Sequence, residues 1–164
     1  MRIGHGFDVH AFTKDRPCII GGVTIPYERG LWGHSDADVC VHALMDALLS
    51  AARQGDIGQL FPPDDPKYDN ADSCKLLREV VRHLQQSGFA IVDCDCTIAA
   101  QAPKISPYRE LMRQKLAEVM DIPLEHIGIK ATTTEGLGFV GRSEGIAAWA
   151  CVLLEENVCA KIKQ

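Results

Sequence analysis

The chain has 164 residues, of which 46% are hydrophobic, and its formal net charge at pH 7 is −5. This length suits one domain with a sizeable core, and the absence of any Lys/Arg run argues against a nucleic-acid or membrane-surface protein. Because no window is apolar enough to span a bilayer or to form the core of a signal peptide, we expect a single cytoplasmic domain over residues 1–164.

The seven cysteines fit the same compartment. Their number is odd and several lie within apolar runs, which is typical of reduced, buried thiols. Cys94 and Cys96 would share one face of a strand and could be metal ligands. Because no second Cys or His pair lies nearby in the sequence, two small core residues are the favoured interpretation.

The first ten residues, MRIGHGFDVH, predict an extended segment that carries half of a metal site. Side chains alternate along an extended chain, so Asp8 and His10 should project to the same side. A motif this short is, by itself, more often an ordinary surface pair. Several glycines in the same part of the sequence would let the backbone approach a ligand closely, which favours a real site.

A hairpin and a long helix are predicted next. The run PCIIGGVTIPY is typical of two short strands joined around Gly21 and Gly22. Apolar residues then recur at helical spacing over 38–53, which predicts a helix with one buried face. Ser35 or Asp36 is expected to cap its N-terminus.

His42, on the second turn of this helix, is expected to complete the metal site. Two His and one carboxylate leave one position of a tetrahedral zinc open, which is the pattern of catalytic sites. Asp38, His42 and Asp46 lie four residues apart and form one polar stripe, which is usually just a solvated face. A metal-binding His normally has a partner on its other ring nitrogen, so Asp46 is the predicted partner.

The remaining elements are a proline-rich loop over 56–70, helices over about 73–87 and 107–120, and strands over 89–101, 127–135 and 146–155. Ser106 is expected to cap the second of these helices and Leu111 to face inward. Helices grouped beside strands predict an α+β fold: a mixed β-sheet with helices packed on one side, without internal repeats.

Several predicted loop tips carry groups suited to phosphate chemistry. Lys104 directly precedes a helix, Thr132–Thr134 and Glu135 end a strand, and Arg142 lies in a glycine-rich turn. Each alone has an ordinary explanation, as β-propensity or as surface charge. Together with a metal site, these cations, hydroxyls and carboxylates are what phosphoryl transfer requires.

Six motifs in order along the chain carry a resemblance to a known family. They are GxGxDxH at residues 4–10, HSDxD at 34–38 with His42 and Asp46, GDIG and LFP at 55–62, QAPK at 101–104, KATTTE at 130–135 and GFxGR at 138–142. In these motifs the chain resembles the 2-C-methyl-D-erythritol 2,4-cyclodiphosphate synthase family over nearly its whole length.

The resemblance implies a lyase of the non-mevalonate isoprenoid pathway. In that reaction the 2-phosphate of 4-diphosphocytidyl-2-C-methyl-D-erythritol 2-phosphate attacks the β-phosphate, and CMP leaves. The resemblance also implies that Asp8, His10 and His42 hold Zn²⁺ and that Glu135 holds Mg²⁺ or Mn²⁺ together with substrate phosphates. It further implies a homotrimer with active sites between subunits.

The resemblance assigns substrate contacts as well. His34 and Thr133 would be catalytic residues that position the reacting phosphates, with Phe139 and Arg142 on the diphosphate side. The residues expected around the metals and phosphates are Asp8, Val9, His10, His34, Ser35, Thr133, Thr134 and Glu135. Those expected at the methylerythritol part are Asp56, Ile57, Gly58, Phe61 and Asp65. Those expected at the cytidine part are Ala100, Gln101, Ala102, Pro103, Lys104, Ile105, Ala131 and Thr132.

One position departs from the family pattern. Family members often have an acidic residue directly after Phe-Pro, and Pro63 takes that place here, followed by Asp64 and Asp65. The role of these two acidic residues is therefore left open.

Two other functions fit the same residues. A zinc-dependent hydrolase of phosphate esters would use the ligands to activate water and would give no cyclic product. A non-catalytic nucleotide-binding trimer would use the metal structurally, which is disfavoured because a structural zinc requires four protein ligands and three are offered.

Overall fold

The computed structural model describes residues 1–62 and 64–156. The strands are β1 (Arg2–Thr13), β2 (Cys18–Ile20), β3 (Val23–Ile25), β4 (Gly30–Leu31), β5 (Phe89–Ala99), β6 (Ile127–Thr132) and β7 (Gly145–Glu156). The helices are α1 (Val39–Ala52), α2 (Ile57–Leu60), α3 (Ser73–Gln86), α4 (Arg109–Met120) and α5 (Gly138–Gly141), with 3₁₀ turns at Pro66–Tyr68, Ser106–Tyr108 and Leu124–His126. Pro63 and the last residues of the predicted domain, 157–164, lie outside the described residues.

A five-stranded sheet in the order β4-β1-β7-β5-β6 forms the frame. Only the β5–β6 pair is parallel, and the other pairs are antiparallel. The predicted α+β class with a mixed sheet is thereby confirmed. The predicted hairpin is also present as β2–β3, and the glycines of its turn have φ of +59° and +73°, a backbone conformation that glycine adopts without steric cost.

Two glycines of β1 allow α1 to lie directly on the strand. A Cβ atom at Gly6 would lie 2.0 Å from the carbonyl oxygen of Ala43, and one at Gly4 would lie 2.0 Å from that of Ala47. Residues at alternate positions of a strand share a face, so Asp8 and His10 lie on the same side as these glycines. The first turns of α1 therefore cover the two candidate ligands.

Helix α1 is buried on almost all sides, so the expectation of a single buried face is wrong. Its cap is Asp38, not Ser35 or Asp36, and the Asp38 side chain has no exposed surface. The carboxylate accepts hydrogen bonds from the backbone N–H groups of Cys40 and Val41 (both 3.1 Å) and of both hairpin glycines (2.9 and 2.6 Å). Burial raises the pKa of Asp38 to about 6, although these N–H groups act in the opposite direction. One carboxylate thus joins α1 to the hairpin.

Four further expectations need correction. The predicted loop over 56–70 contains α2 and a 3₁₀ turn, and the strand predicted over 127–135 ends at Thr132. Ser106 makes no capping hydrogen bond. Because a 3₁₀ turn precedes α4, the inward position shifts by one residue: Leu111 is 53% exposed, whereas Met112 is fully buried.

The two faces of the sheet have different surroundings. Helix α1 and the buried side chains of β5, Cys94 and Cys96 among them, occupy one face, which confirms these two cysteines as core residues. On the other face, Ile3, Phe7 and Val9 are 70%, 46% and 41% exposed.

Among the helices of the described chain, none is both long and apolar enough to cross a membrane.

The close approach of strand and helix generates a stability prediction. Gly6→Ala places a methyl group against the α1 backbone, which cannot move aside as a flexible side chain can, so we expect the free energy of unfolding to fall by at least about 2 kcal/mol. Gly58→Ala is the matched control, because its nearest neighbour is a side-chain oxygen at 3.3 Å. Urea denaturation of both variants measures the difference, and equal stabilities would contradict the role given to the β1 glycines.

Candidate active site

Three side chains from β1 and α1 form a compact triangle of ligand atoms. Asp8 Oδ2 lies 3.0 Å from His10 Nε2 and 3.0 Å from His42 Nδ1, and the two imidazole nitrogens are also 3.0 Å apart. Among the described residues, this is the only group of three or more His, Cys, Asp or Glu whose ligand atoms lie this close together. The predicted convergence of these residues into a possible metal site is confirmed.

The donor set fits a transition metal such as zinc. In a tetrahedral site with bonds of about 2.0–2.1 Å, ligand atoms lie roughly 3.3 Å apart, close to the edges of this triangle. Two imidazole nitrogens that face each other cannot both offer lone pairs without an ion or a proton between them. An ion on the triangle would satisfy all three lone pairs.

The charges of the triangle depend on one another. Burial alone would raise the pKa of Asp8, but hydrogen bonds from His10 and His42 hold the pKa of this carboxyl well below its usual range. Burial would lower the pKa of His42, and the adjacent Asp8 carboxylate raises it above the usual histidine value instead. The carboxylate is therefore ionised and ready to bind a cation.

Asp46 does not orient His42, and that prediction is wrong. The other ring nitrogen of His42, Nε2, lies 3.0 Å from Ser35 Oγ and 3.1 Å from Ser73 Oγ. Asp46 Oδ1 instead accepts a hydrogen bond from the backbone N–H of Ile57 (2.9 Å), at the start of α2. Asp46 therefore holds the segment that follows α1.

A cavity of about 230 Å³ opens beside the triangle. Seven of its lining residues are predicted site residues: His10, His34, Ser35, His42, Ile57, Gly58 and Phe61. The remaining lining residues, which sequence reasoning missed, are Trp32, Gly33, Met45, Tyr68 and Leu76. The apolar lining suits a small, partly hydrophobic group held next to a metal.

A second cavity, of about 430 Å³, lies at the ends of β5 and β6. Its lining contains eight predicted residues and Ser106: Ala100, Gln101, Pro103, Lys104, Ile105, Ala131, Thr132 and Thr133. The sequence motifs QAPK and KATTTE therefore meet in space, because their strands pair in parallel and end at the same edge. One cation and several hydroxyls around a space of this size suit a nucleotide.

The loop after β6 carries the remaining residues of the KATTTE motif. Thr133 Oγ1 donates to Glu135 Oε1 (3.1 Å) and accepts from the backbone N–H of Glu135 (3.3 Å). The backbone of Glu135 has a φ of +53°, an unusual value for a residue with a side chain. The N–H of Gly136 donates to Gln101 Oε1 (3.4 Å), which joins this loop to the second cavity.

Other predicted residues line neither cavity. The Val9 side chain points to the open face of the sheet, while its backbone N–H donates to Asp8 Oδ1 (2.8 Å). Asp56 and Asp65 cap α2 and the Pro66–Tyr68 turn, respectively. Ala102, Thr134, Phe139 and Arg142 complete this group, and Arg142 is paired with Glu144 at 2.7 Å.

The two cavities lie apart within one chain. Strand β1 is separated from β6 by β7 and β5, so the two strand axes lie roughly 14 Å apart at ordinary strand spacing. His34 lines one cavity and Thr133 lines the other. The chain does not bring this predicted catalytic pair together by itself.

Arg16 was also missed, although it holds the backbone around His34. Its guanidinium donates to the carbonyl oxygens of Gly33 and Ser35, one on each side of that histidine. A single Arg in a predicted loop gives no local pattern that would reveal such a contact. Ser73 was missed for the same reason, because it is 31 residues away from His42.

A possible three-ligand metal site beside an apolar cavity, with a second, hydroxyl-rich cavity at the same end of the strands, is typical of a metal-dependent enzyme that acts on a small molecule. Comparison with known proteins specifies the class. The model of the YgbB family matches residues 1–155. The chain is 58% identical over 154 residues to the 2-C-methyl-D-erythritol 2,4-cyclodiphosphate synthase of Moorella thermoacetica, covering 94% of both chains.

Solved structures of proteins of this class have the same fold as this chain. A 2-C-methyl-D-erythritol 2,4-cyclodiphosphate synthase in a CDP-bound form is 38% identical, with a TM-score of 0.86 over 94% of this chain and 100% of that one. The bifunctional IspDF of Campylobacter jejuni is 42% identical, with a TM-score of 0.91 over 94% of this chain and 42% of that one. The chain belongs to the YgbB family, the family of 2-C-methyl-D-erythritol 2,4-cyclodiphosphate synthases.

The hydrogen bond between Asp46 and Ile57 leads to a prediction that distinguishes a structural role of Asp46 from a role in metal binding. Asp46→Ala removes the acceptor of the Ile57 N–H, so hydrogen exchange at this amide should accelerate about 10-fold, as expected for the loss of one hydrogen bond. Metal affinity should stay within about twofold of the wild type, and Asp46→Asn, which keeps an acceptor oxygen, should resemble the wild type in both measurements. Lost metal affinity with unchanged exchange at Ile57 would contradict this assignment.

Proposed function

We propose that this chain converts 4-diphosphocytidyl-2-C-methyl-D-erythritol 2-phosphate to 2-C-methyl-D-erythritol 2,4-cyclodiphosphate with release of CMP, in the non-mevalonate isoprenoid pathway. The 2-phosphate attacks the β-phosphate, a new phosphorus–oxygen bond closes the ring, and the bond to the CMP oxygen breaks. The observation that carries the proposal is the triangle of Asp8, His10 and His42 beside an apolar cavity, in a chain of this family.

Asp8, His10 and His42 would hold Zn²⁺, with one position left for a substrate oxygen. Glu135 would hold Mg²⁺ or Mn²⁺ together with substrate phosphates, because magnesium prefers few carboxylates plus phosphate oxygens. When bound, the two metals would neutralise charge that develops on the phosphates. A hydrolase or a structural zinc site is disfavoured by family membership and by the three-ligand donor set.

The two cavities would receive different parts of the substrate. The apolar cavity beside the triangle would take methylerythritol, against Ile57, Gly58 and Phe61, with Asp56 and Asp65 nearby. The cavity at the ends of β5 and β6 would take cytidine, with Phe139 and Arg142 on the diphosphate side. The CDP-bound relative supports a nucleotide ligand of this class.

A homotrimer would bring the two cavities together. His34 and Thr133 would act on the same phosphates, yet they line different cavities of one chain. The sheet face that α1 does not cover exposes Ile3, Phe7 and Val9, with His5 between Ile3 and Phe7. Exposed apolar side chains of this kind are often buried between subunits. We propose that three such faces pack together and that each active site lies between neighbouring subunits.

The cysteines support a cytoplasmic location. The six in the described part of the chain are free, and only Cys151 among them is exposed. Burial raises the pKa of the Cys74 thiol to about 12 and holds it in the inert, protonated form. Free thiols in such number are usual in a reducing compartment.

Incubation of the purified protein with the diphosphocytidyl substrate tests the function. Mass spectrometry should detect the cyclodiphosphate and CMP in equal amounts, with no linear diphosphate, since the nucleophile is part of the substrate. A linear hydrolysis product would favour a phosphate-ester hydrolase, and unchanged substrate in the presence of zinc and magnesium would favour a binding protein.

The position of Glu135 generates a prediction about the second metal. Glu135→Gln keeps the oxygen that Thr133 contacts but removes the charge, so turnover should fall about 100-fold or more while zinc content stays at the wild-type level. Glu118→Gln is the matched control, because this acid lies on the exposed side of α4 and pairs with Arg78 at 3.7 Å. Wild-type turnover of Glu135→Gln across a magnesium titration would show that Glu135 is an ordinary surface acid.

The open sheet face generates a prediction about assembly. Phe7 contacts Trp149 with 5.2 Å between ring centroids, and Phe7→Asp places a charge within the proposed interface. Light scattering should show a monomer that has lost turnover, whereas Leu111→Asp, on the opposite side of the molecule, should remain a trimer. A fully active monomer of Phe7→Asp would contradict active sites between subunits.

A further inference from the structure

A layer of buried hydrogen bonds lies behind the metal-binding side of His42. The imidazole offers Nδ1 to the ligand triangle, and its Nε2 faces two hydroxyls, Ser35 Oγ at 3.0 Å and Ser73 Oγ at 3.1 Å. Ser73 is completely buried and Ser35 is 7% exposed. Water is therefore excluded, and the protons on these groups are set by the protein.

Asp36 decides the direction of the Ser73 hydroxyl. Asp36 Oδ1 is hydrogen-bonded to Ser73 Oγ, and Asp36 Oδ2 accepts the backbone N–H of Ser73 (3.1 Å). A carboxylate only accepts, so the Ser73 hydroxyl donates its proton to Asp36. Its lone pairs then face His42, and only a protonated Nε2 can donate to them.

Ser35 is compatible with the same arrangement. Its Oγ accepts the backbone N–H of Ala37 (3.1 Å) and lies 3.4 Å from Ser73 Oγ. Ser35 keeps a lone pair for the proton on His42 Nε2 as well. A neutral imidazole carries one proton, so a proton on Nε2 leaves Nδ1 as the lone pair that points at Asp8 and His10.

We propose that Ser73 and Asp36 are positioning residues for the metal site: they act through His42, fix its ring with the proton on Nε2, and thereby raise metal affinity. The proposal rests on the proposed zinc site at Asp8, His10 and His42. Neither residue would contact the metal or the substrate. The usual partner of a metal-bound histidine is a carboxylate or a carbonyl, and here a hydroxyl stands between ring and carboxylate.

The same contacts also join two helices. Ser73 is the first residue of α3, and Asp36 accepts the N–H of the α1 cap, Asp38 (3.3 Å). A purely structural role would make Ser73 and Asp36 matter for stability and leave the affinity and the proton position of His42 unaffected. The test must therefore measure these last two quantities.

Zinc affinity is measured by competition with a chelator, for the wild type and for four variants of the full chain. Ser73→Ala should raise the zinc Kd about 10- to 100-fold. Asp36→Asn should do so as well, because an amide N–H can reverse the Ser73 hydroxyl and leave the proton on Nδ1. The double variant should lose no more than the worse single variant, since Asp36 acts through Ser73. Ser50→Ala, a serine of α1 distant from the site, is the matched control and should leave the zinc Kd unchanged.

The proton on Nε2 is observed in the zinc-loaded protein, where Nδ1 binds the metal. Proton-detected nitrogen-15 NMR should show a proton on His42 Nε2 that exchanges slowly with water in the wild type and about 10-fold faster in Ser73→Ala, which lacks the buried acceptor. Equal exchange rates of this proton in the two proteins, or a zinc Kd within about twofold of the wild type for Ser73→Ala, would overturn the proposal. A wild-type protein that binds no zinc would contradict the proposed function itself, whereas a wild-type affinity in the variants contradicts only the roles of Ser73 and Asp36.

Discussion

The site depends on the contact of one helix with one strand, backbone against backbone. Gly4 and Gly6 leave no Cβ between β1 and α1, so the carbonyl oxygens of the helix lie where those atoms would be. At this separation the imidazole of His42 reaches the side chains of Asp8 and His10 across the contact. Any larger residue at these glycines would open the triangle of ligand atoms, whose edges are 3.0 Å.

The orientation of α1 and the position of its N-terminus are fixed by groups outside this contact. Asp38 ties the helix N-terminus to the glycine turn of the β2–β3 hairpin, and the charge on this fully buried carboxylate is compensated by backbone N–H groups. Arg16 holds the backbone on both sides of His34. The substrate side of the site is thus supported by the same buried framework that builds the metal side, while the Thr133–Glu135 loop lies at the far edge of the sheet.

Local patterns predicted much of this arrangement. Alternation along β1 placed Asp8 and His10 on one face, and helical spacing identified α1 and His42. The prediction that Asp46 orients His42 was wrong because the helix is buried on nearly all sides. Residues four positions apart therefore contact different neighbours rather than one another. The prediction that Leu111 faces inward was wrong because a 3₁₀ turn precedes α4 and shifts its inward positions by one residue. Ser73 and Arg16 act through contacts between distant segments, which no local spacing encodes, and the separation of the two cavities follows from a strand order that the sequence alone did not predict.

The central claim is that the β1–α1 contact makes one zinc site from Asp8, His10 and His42. Crystals of the zinc-loaded protein, measured on both sides of the zinc absorption edge, test this most directly. We predict one anomalous peak per chain within about 2.0–2.2 Å of Asp8 Oδ2, His10 Nε2 and His42 Nδ1. A peak at other residues, or none between these three atoms when the protein binds one zinc per chain, would contradict it.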